Sequence, residues 1–344
     1  MKSPASFTRW DPSLRWGDGV GGSGYYLPMA TLSESRPLAS VSLTESDSNP
    51  AAFAEDVGRS FEEYGFAIIA DHGIPEELIR RAEEKAKAFF ALPDEVKRRY
   101  HVPGGGGARG YTPFGIETAK GHKAHDLKEF WHVGRELPEG HPFRGPMPDN
   151  VWPEEVAGFH DTLLELYDSL DRTGVKILRA VARYLGIEEE YLVDSVRDGN
   201  SVLRLLHYPP IEGEPGSHIR AGAHEDINTI TLLLGAEEAG LQLLTREGQW
   251  IPVSPRPGEL VVNIGDMLQR LTNGRLRSTS HRVVNPPRER FGHSRYSMPF
   301  FLHFRSDFVI EALPGTVPAS EQPKWPTCTA DEYLQERLRE IKLA

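Results

Sequence analysis

Two stretches constrain this chain more than any other feature: Ala221–Leu234, AGAHEDINTITLLL, and the later Arg277–Val283, RSTSHRV. Side chains two apart in a strand share a face, so a strand here points His224 and Asp226 the same way. The run Ile227–Leu234 is rich in Ile, Thr and Leu, which predicts that strand. His281, in the second stretch, completes a set of two imidazoles and one carboxylate. Such a set on one face of an iron leaves the other positions open, which suits non-haem Fe(II) oxygen chemistry. A His-x-Asp pair alone is a weak signal, and a buried histidine is more often a satisfied core residue than a ligand. The set gains weight from its company, because Arg295 and Ser297 follow His281 in RYSMPFF.

A chain of 344 residues can bury a substantial core as one large domain or two modest ones. Its net charge of −11 and lack of a basic run make it a poor phosphate-backbone binder, so no nucleic-acid partner is expected. No apolar run reaches transmembrane length, and no membrane partner is expected. The single cysteine, Cys328, excludes an internal disulfide framework and fits a cytoplasmic protein. Residues 1–28 lack the apolar core of a secretory signal and are rich in Gly, Ser and Pro. They belong to an expected disordered extension over 1–36. Met29 is a candidate translation start, which peptides from residues 1–28 in the native protein would refute. Nothing in the sequence speaks for a particular oligomeric state.

Along the chain, Leu38–Leu43 predicts a short strand. Phe53, Val57 and Phe61 recur at helical spacing and predict a helix over 50–63. Gly65–Ala70 predicts a buried strand, and the His72-Gly73-Ile74-Pro75 that follows predicts a turn rather than a metal site. A second helix spans 76–92, ended by Pro93. The glycine-rich 103–111 lacks a phosphate-loop pattern and predicts a loop able to act as a lid. Apolar residues at near-helical spacing over 154–185 predict one long helix or two joined end to end, with an irregularity at Gly174 and a stop at Gly186. From Ser201 onward, short strands are expected at 201–208, 218–223, 227–234, 240–245, 249–253, 259–263, 275–284 and 295–303. Asn273-Gly274 predicts a hairpin, and Thr329–Glu332 caps a terminal helix. Strands at this spacing suggest a sandwich or jelly roll.

The ordered set GAHEDINTITLLL, GLQLL (240–244), VNIGDMLQRLTNG (262–274), STSHRVVNP (278–286) and RYSMPFF (295–301) resembles the iron/2-oxoglutarate-dependent dioxygenases of the isopenicillin N synthase-like branch. YGFAIIADHGIP (64–75) resembles that branch's first-strand signature, and the likeness spans about residues 37 to 305. It implies an α+β fold with a predominantly β core: a double-stranded β-helix (jelly roll) flanked by N-terminal helices and a long supporting helix. The implied divisions are an N-terminal region (37–150), supporting helices (151–198), a jelly-roll core (199–305) and a C-terminal tail and helix (306–344). His224, Asp226 and His281 are then the Fe(II) ligands. 2-Oxoglutarate and O2 are co-substrates, and a small molecule is oxidised as 2-oxoglutarate gives succinate and CO2. Arg295 suits the distal carboxylate of 2-oxoglutarate because guanidinium binds carboxylate as a fork. Ser297 faces the same way, and Tyr208 matches a family tyrosine that bonds a bound carboxylate.

By the same resemblance, residues 110–136 lie over the iron site, and Tyr111, Glu117 and Lys128 are candidate pocket residues. Asn263 and Asp266 are expected to shape a turn. Gln242 and His207 are read as outer-layer or structural, and His218, His293 and His303 as surface or packing residues. Isopenicillin N synthase shares the Arg-x-Ser pair and uses it for its peptide substrate. The alternatives are therefore an oxidase of that kind or of the aminocyclopropane-carboxylate-oxidase kind, an ethylene- and succinate-forming enzyme, and a non-catalytic metal-binding jelly roll.

Overall fold

The computed structural model describes residues 38–105, 107–116, 128–145, 147–211, 219–234 and 240–340. The expected extension over 1–36, the start at Met29, and the candidates Glu117 and His218 lie outside the described residues. The described chain begins with strand β1 (Ser40–Ser42), the single turn α1 (Glu45–Ser48) and helix α2 (Pro50–Tyr64). Pro50 stands in the first turn of α2, where an N–H would have no helical partner. Strand β2 (Phe66–Ala70), helix α3 (Glu76–Phe90) and the turn α4 (Asp94–Lys97) follow. Strands β3 (Gly110–Thr112) and β4 (Glu129–Gly134) precede the long helix α5 (Phe159–Leu185) and helix α6 (Glu189–Val196).

Then come β5 (Val202–Tyr208), β6 (Ala221–His224), β7 (Ile230–Leu234), β8 (Leu241–Leu244), β9 (Trp250–Pro252) and β10 (Leu260–Ile264). Helix α7 (Asp266–Leu271) separates these from β11 (His281–Val283), β12 (Arg295–Ser297) and β13 (Pro299–Leu302). The described chain closes with β14 (Val309–Ile310), β15 (Cys328–Thr329) and helix α8 (Ala330–Glu340).

The larger sheet runs β1-β2-β10-β7-β13-β5-β4-β3, with β12 also on β5; the smaller runs β6-β11-β8-β9. Period-two alternation divides the large sheet into two faces. Leu203 and Leu205, Ile230 and Leu232, Leu260 and Val262 point to one side and share a core with Leu163, Leu166 and Ile177 of α5. Arg204, Leu206, Tyr208, Thr231, Leu233 and Asn263 occupy the opposite phase and line a cleft. Ala221, His224, Leu241, His281 and Val283 of the smaller sheet line it from the other side. This is the expected α+β jelly roll, with helices packed on the outer face of the large sheet.

Several expectations change in detail. Helix α5 starts at Phe159 rather than 154 and runs unbroken through Gly174. The reason for glycine there is space: a Cβ would stand 2.9 Å from Leu302 Cδ2. Asn273-Gly274 is not a hairpin. It terminates α7, both residues having positive φ (50° and 81°), and the Gly274 N–H donates to the Gln269 carbonyl. The strand expected over 275–284 shrinks to β11, and β3, β4 and α7 were not foreseen as elements. The capping box is present, with Thr329 and Glu332 bonding each other's backbone N–H.

Candidate metal centre

His224 ends β6 directly opposite His281 on β11, which brings the two ring centroids to 4.4 Å. Asp226 is not on the same strand as His224, as the spacing had suggested; the chain has already left β6. It reaches the site because its carbonyl accepts the Asp266 N–H at 2.7 Å, where α7 begins. Asp226 Oδ1 lies 3.9 Å from His224 Nε2 and 3.8 Å from His281 Nε2. Two atoms bound to one ion at about 2.1 Å each can be no more than roughly 4.2 Å apart, so both separations fit a shared metal. Among the described residues no other group of three His, Cys, Asp or Glu side chains is so arranged.

The surroundings aim these donors. His224 Nδ1 is 2.7 Å from the Gly222 carbonyl, and His281 Nδ1 is 3.1 Å from that of Thr279. A carbonyl only accepts, so each Nδ1 carries a proton, and each Nε2 is the nitrogen left to face a metal. Asp226 Oδ2 accepts from Thr231 Oγ1 at 2.5 Å and Asn263 Nδ2 at 2.8 Å, which fixes the carboxylate with Oδ1 toward the imidazoles. Burial, with His281 and Lys128 nearby, pushes His224 down to about 4, so it is neutral at pH 7. Burial opposes ionisation of Asp226, but His281, His224, Asn263 and Thr231 outweigh it and hold the carboxyl below its ordinary value. Two imidazoles and one carboxylate form a donor set that fits Fe(II).

Arg295 and Ser297 both face the cleft from β12, and Arg295 pairs in register with Tyr208 on β5. The Arg295 guanidinium lies 5.2 Å from the Tyr208 ring centroid. The cleft spans about 590 Å³ of atom-free space, part of it open to solvent. The structure thus brings all six sequence-predicted site residues into one cavity, with Lys128.

Other candidates fall elsewhere. Tyr111 is not in the cleft; it is buried against Phe89, and its hydroxyl donates to Glu129. Residues 103–111, the expected lid, contribute none of the described lining. His72 Nδ1 accepts the Ile74 N–H, as a turn requires. His207 bonds Glu129 and Ser294, Gln242 accepts from Arg282, and His303 Nδ1 meets the Phe301 carbonyl. Asn263 and Asp266 do more than shape a turn, since the first bonds the Asp226 carboxylate and the second its carbonyl. Arg204 and Thr231 were missed. Their signal was a polar residue on one phase of an apolar strand, as in VLRLLHY and ITLLL.

Residues 37–155 match the family described as the N-terminal region of non-haem dioxygenases in morphine synthesis. Residues 199–304 match the 2OG-Fe(II) oxygenase superfamily. A crystal structure of a protein assigned to the 2OG-Fe(II) oxygenase family from Caulobacter crescentus is 56% identical, with a TM-score of 0.82 over 88% of this chain and 99% of that one. A full-length protein of Neurospora crassa, solved in complex with α-ketoglutarate, is 30% identical, with a TM-score of 0.79 over 88% of this chain and 95% of that one. The 2-oxoglutarate-Fe(II) type oxidoreductase hxnY of Emericella nidulans is 36% identical over 83% of each chain. With the donor set, the fold and these relatives in agreement, the chain belongs to the isopenicillin N synthase-like family of 2-oxoglutarate- and Fe(II)-dependent dioxygenases.

Proposed function

We propose that His224, Asp226 and His281 hold the iron, and that Arg295, Ser297 and Tyr208 hold 2-oxoglutarate, in an enzyme that couples its decarboxylation to oxidation of a small molecule. The observation that carries this assignment is the convergence of three aimed donor atoms and the Arg-x-Ser pair on one cleft. Iron, when bound, supplies activation of O2 coupled to loss of CO2 from 2-oxoglutarate. The chain's own part is geometric and electrostatic. Gly222 and Thr279 orient the imidazoles through their Nδ1 protons, and Thr231 and Asn263 keep Asp226 ionised and turned inward. Arg295 is 3% exposed, so a carboxylate that it binds is largely shielded from water, where a charge-assisted fork is strongest. Ser297, two residues on, supplies a hydroxyl on the same side, and the Tyr208 ring flanks the guanidinium.

The test is an anaerobic titration of Fe(II)-loaded protein with 2-oxoglutarate, followed by the visible charge-transfer band of a 2-oxo acid on Fe(II). The band is expected in the parent. Arg295→Ala should weaken 2-oxoglutarate binding by about 2–5 kcal/mol, the range for truncating one partner of a buried charge pair. An unchanged affinity refutes the role of Arg295. No band with iron bound assigns the chain to an oxidase that draws its electrons from its own substrate.

A further inference from the structure

Arg295 stands on a short support. Strand β12 has three residues and, among the described residues, pairs with β5 alone. Arg295 and Ser297 line the cleft, while Tyr296 between them turns to the other side. There Tyr296 is in register with His207 of β5, and the two rings stack with centroids 4.8 Å apart and planes 11° from parallel. His207 in turn is in register with Glu129 of β4. A row Glu129–His207–Tyr296 therefore runs behind the wall that carries Tyr208, Arg295 and Ser297.

His207 holds the chain on both sides of Arg295. Its ring lies against Tyr296, and its Nε2 meets the Ser294 hydroxyl at 3.0 Å. Its own orientation is set from behind, where Nδ1 lies 2.7 Å from Glu129 Oε1. Glu129 is 1% exposed, and its Oε2 accepts from Lys97 Nζ at 2.9 Å and from the Tyr111 hydroxyl. Burial opposes ionisation of Glu129, but His207, Tyr111 and Lys97 outweigh it and hold the carboxyl below its ordinary value. A carboxylate only accepts, so His207 Nδ1 carries a proton and a flipped ring would lose this bond. Lys97 of α4, Tyr111 of β3, Glu129 of β4 and His207 of β5 thus form one chain of bonds that ends on the two neighbours of Arg295. A buried ion pair adds little stability over apolar packing of the same volume, so its distinctive effect here is directional.

We propose that His207, aimed by Glu129, is a positioning residue for 2-oxoglutarate: by gripping Ser294 and Tyr296 it sets the place of the Arg295 guanidinium in the cleft. The proposal rests on the co-substrate reading above, in which Arg295 binds a carboxylate of 2-oxoglutarate. A guanidinium fork makes two parallel bonds to a carboxylate, so a small displacement of its strand weakens both.

The test is the anaerobic 2-oxoglutarate titration of Fe(II)-loaded protein, applied to His207→Phe, Ser294→Ala, Arg295→Ala and each of the first two combined with Arg295→Ala. His207→Phe keeps a ring against Tyr296 and removes both hydrogen bonds. It should weaken 2-oxoglutarate binding by about tenfold or more, and Ser294→Ala, which removes one bond, by about 3–10-fold. Among the described residues no member of the row bonds His224, Asp226 or His281. Affinity of the apo variants for Mn(II) should therefore stay within about twofold of the parent. In the Arg295→Ala background His207→Phe should cost almost nothing further, because both changes act on one contact. Three results overturn the positioning role: losses that add in the double variant, equal losses of Mn(II) and 2-oxoglutarate affinity, or 2-oxoglutarate affinity within about twofold of the parent in either single variant. If His207→Phe does not fold, Ser294→Ala and its double variant decide by the same criteria. Failure of the co-substrate reading looks different. No band in the parent, or a parental titration in Arg295→Ala, overturns that reading and this role with it.

Discussion

Two buried threonines in one segment offer a sharp test of how the metal centre is held. Thr231 Oγ1 donates to Asp226 Oδ2 at 2.5 Å and accepts from Asn228 Nδ2 at 3.0 Å. Thr229, two residues earlier and fully buried, has no hydrogen-bond partner for its hydroxyl among the described residues. Thr231→Val nearly preserves shape and deletes one donor to a carboxylate, a loss of about 1.5–3 kcal/mol. Asp226 Oδ2 would keep only Asn263. Removing such an outer partner of a metal ligand typically weakens metal binding about 10–100-fold, which is roughly 1.4–2.8 kcal/mol. The two estimates agree, so the donor's contribution should appear almost wholly in metal affinity. Calorimetric titration of the apo protein with Mn(II), without turnover, measures it. Thr229→Val removes a buried hydroxyl that gains nothing from its surroundings, so metal affinity should hold and the melting temperature should stay level or rise. Thr231→Val binding within about threefold of the parent would refute the reasoning. So would an equal loss in Thr229→Val, because volume and not the hydrogen bond would then be responsible.

Other consequences can be read from the same region. Gly265→Ala would drive a Cβ into the Asn228 carbonyl oxygen, which is backbone and cannot rotate away. The cost should be about 1–3 kcal/mol or more in denaturant unfolding, with weaker metal binding because Asp226 hangs from the next residue. Tyr333 on α8 donates to Asp266 Oδ2 at 2.9 Å, so Tyr333→Phe should destabilise by about 1–3 kcal/mol in the same unfolding assay. Burial holds both His303 and His224 down at about 4, against 6.5 for an exposed imidazole. The unfolded chain therefore takes protons that the folded chain refuses. The apo protein should lose melting temperature as pH falls from about 6.5 toward 4, and His303→Asn should flatten that decline.

Which parts of this were legible in the sequence follows from what each feature depends on. The helix stripes of α2, α3 and α5 are local, since the apolar residues that mark them sit three and four apart and turn toward the same core. The strand positions from Ser201 onward were equally local. What the spacing could not supply was tertiary: Asp226 lies beyond the end of β6, and only a backbone bond to Asp266, far along the chain, turns it inward. Helix α7 was obscured because it is only six residues long and follows the buried strand β10 with one residue between, so Asn263 and Asp266 were read as a turn. The large sheet adds a more general point. Its outer phase is filled by Leu, Ile and Val against the helices, so apolarity there reports only burial. Its cleft phase carries Arg204, Tyr208, Thr231 and Asn263. A buried strand accepts polar side chains on one phase only where that phase has partners to satisfy them. Tyr208, Thr231 and Asn263 surround the six predicted site residues or belong to them, and they meet Asp226 and Arg295. Arg204 breaks the apolar pattern on the same phase of the same sheet. The His132 imidazole and the Phe130 and Phe301 rings pack around its guanidinium. Its neighbours on that phase meet Asp226 and Arg295, so polar side chains on the inner phase of a buried sheet mark the wall of the cleft, whereas apolar ones on the outer phase mark only the core.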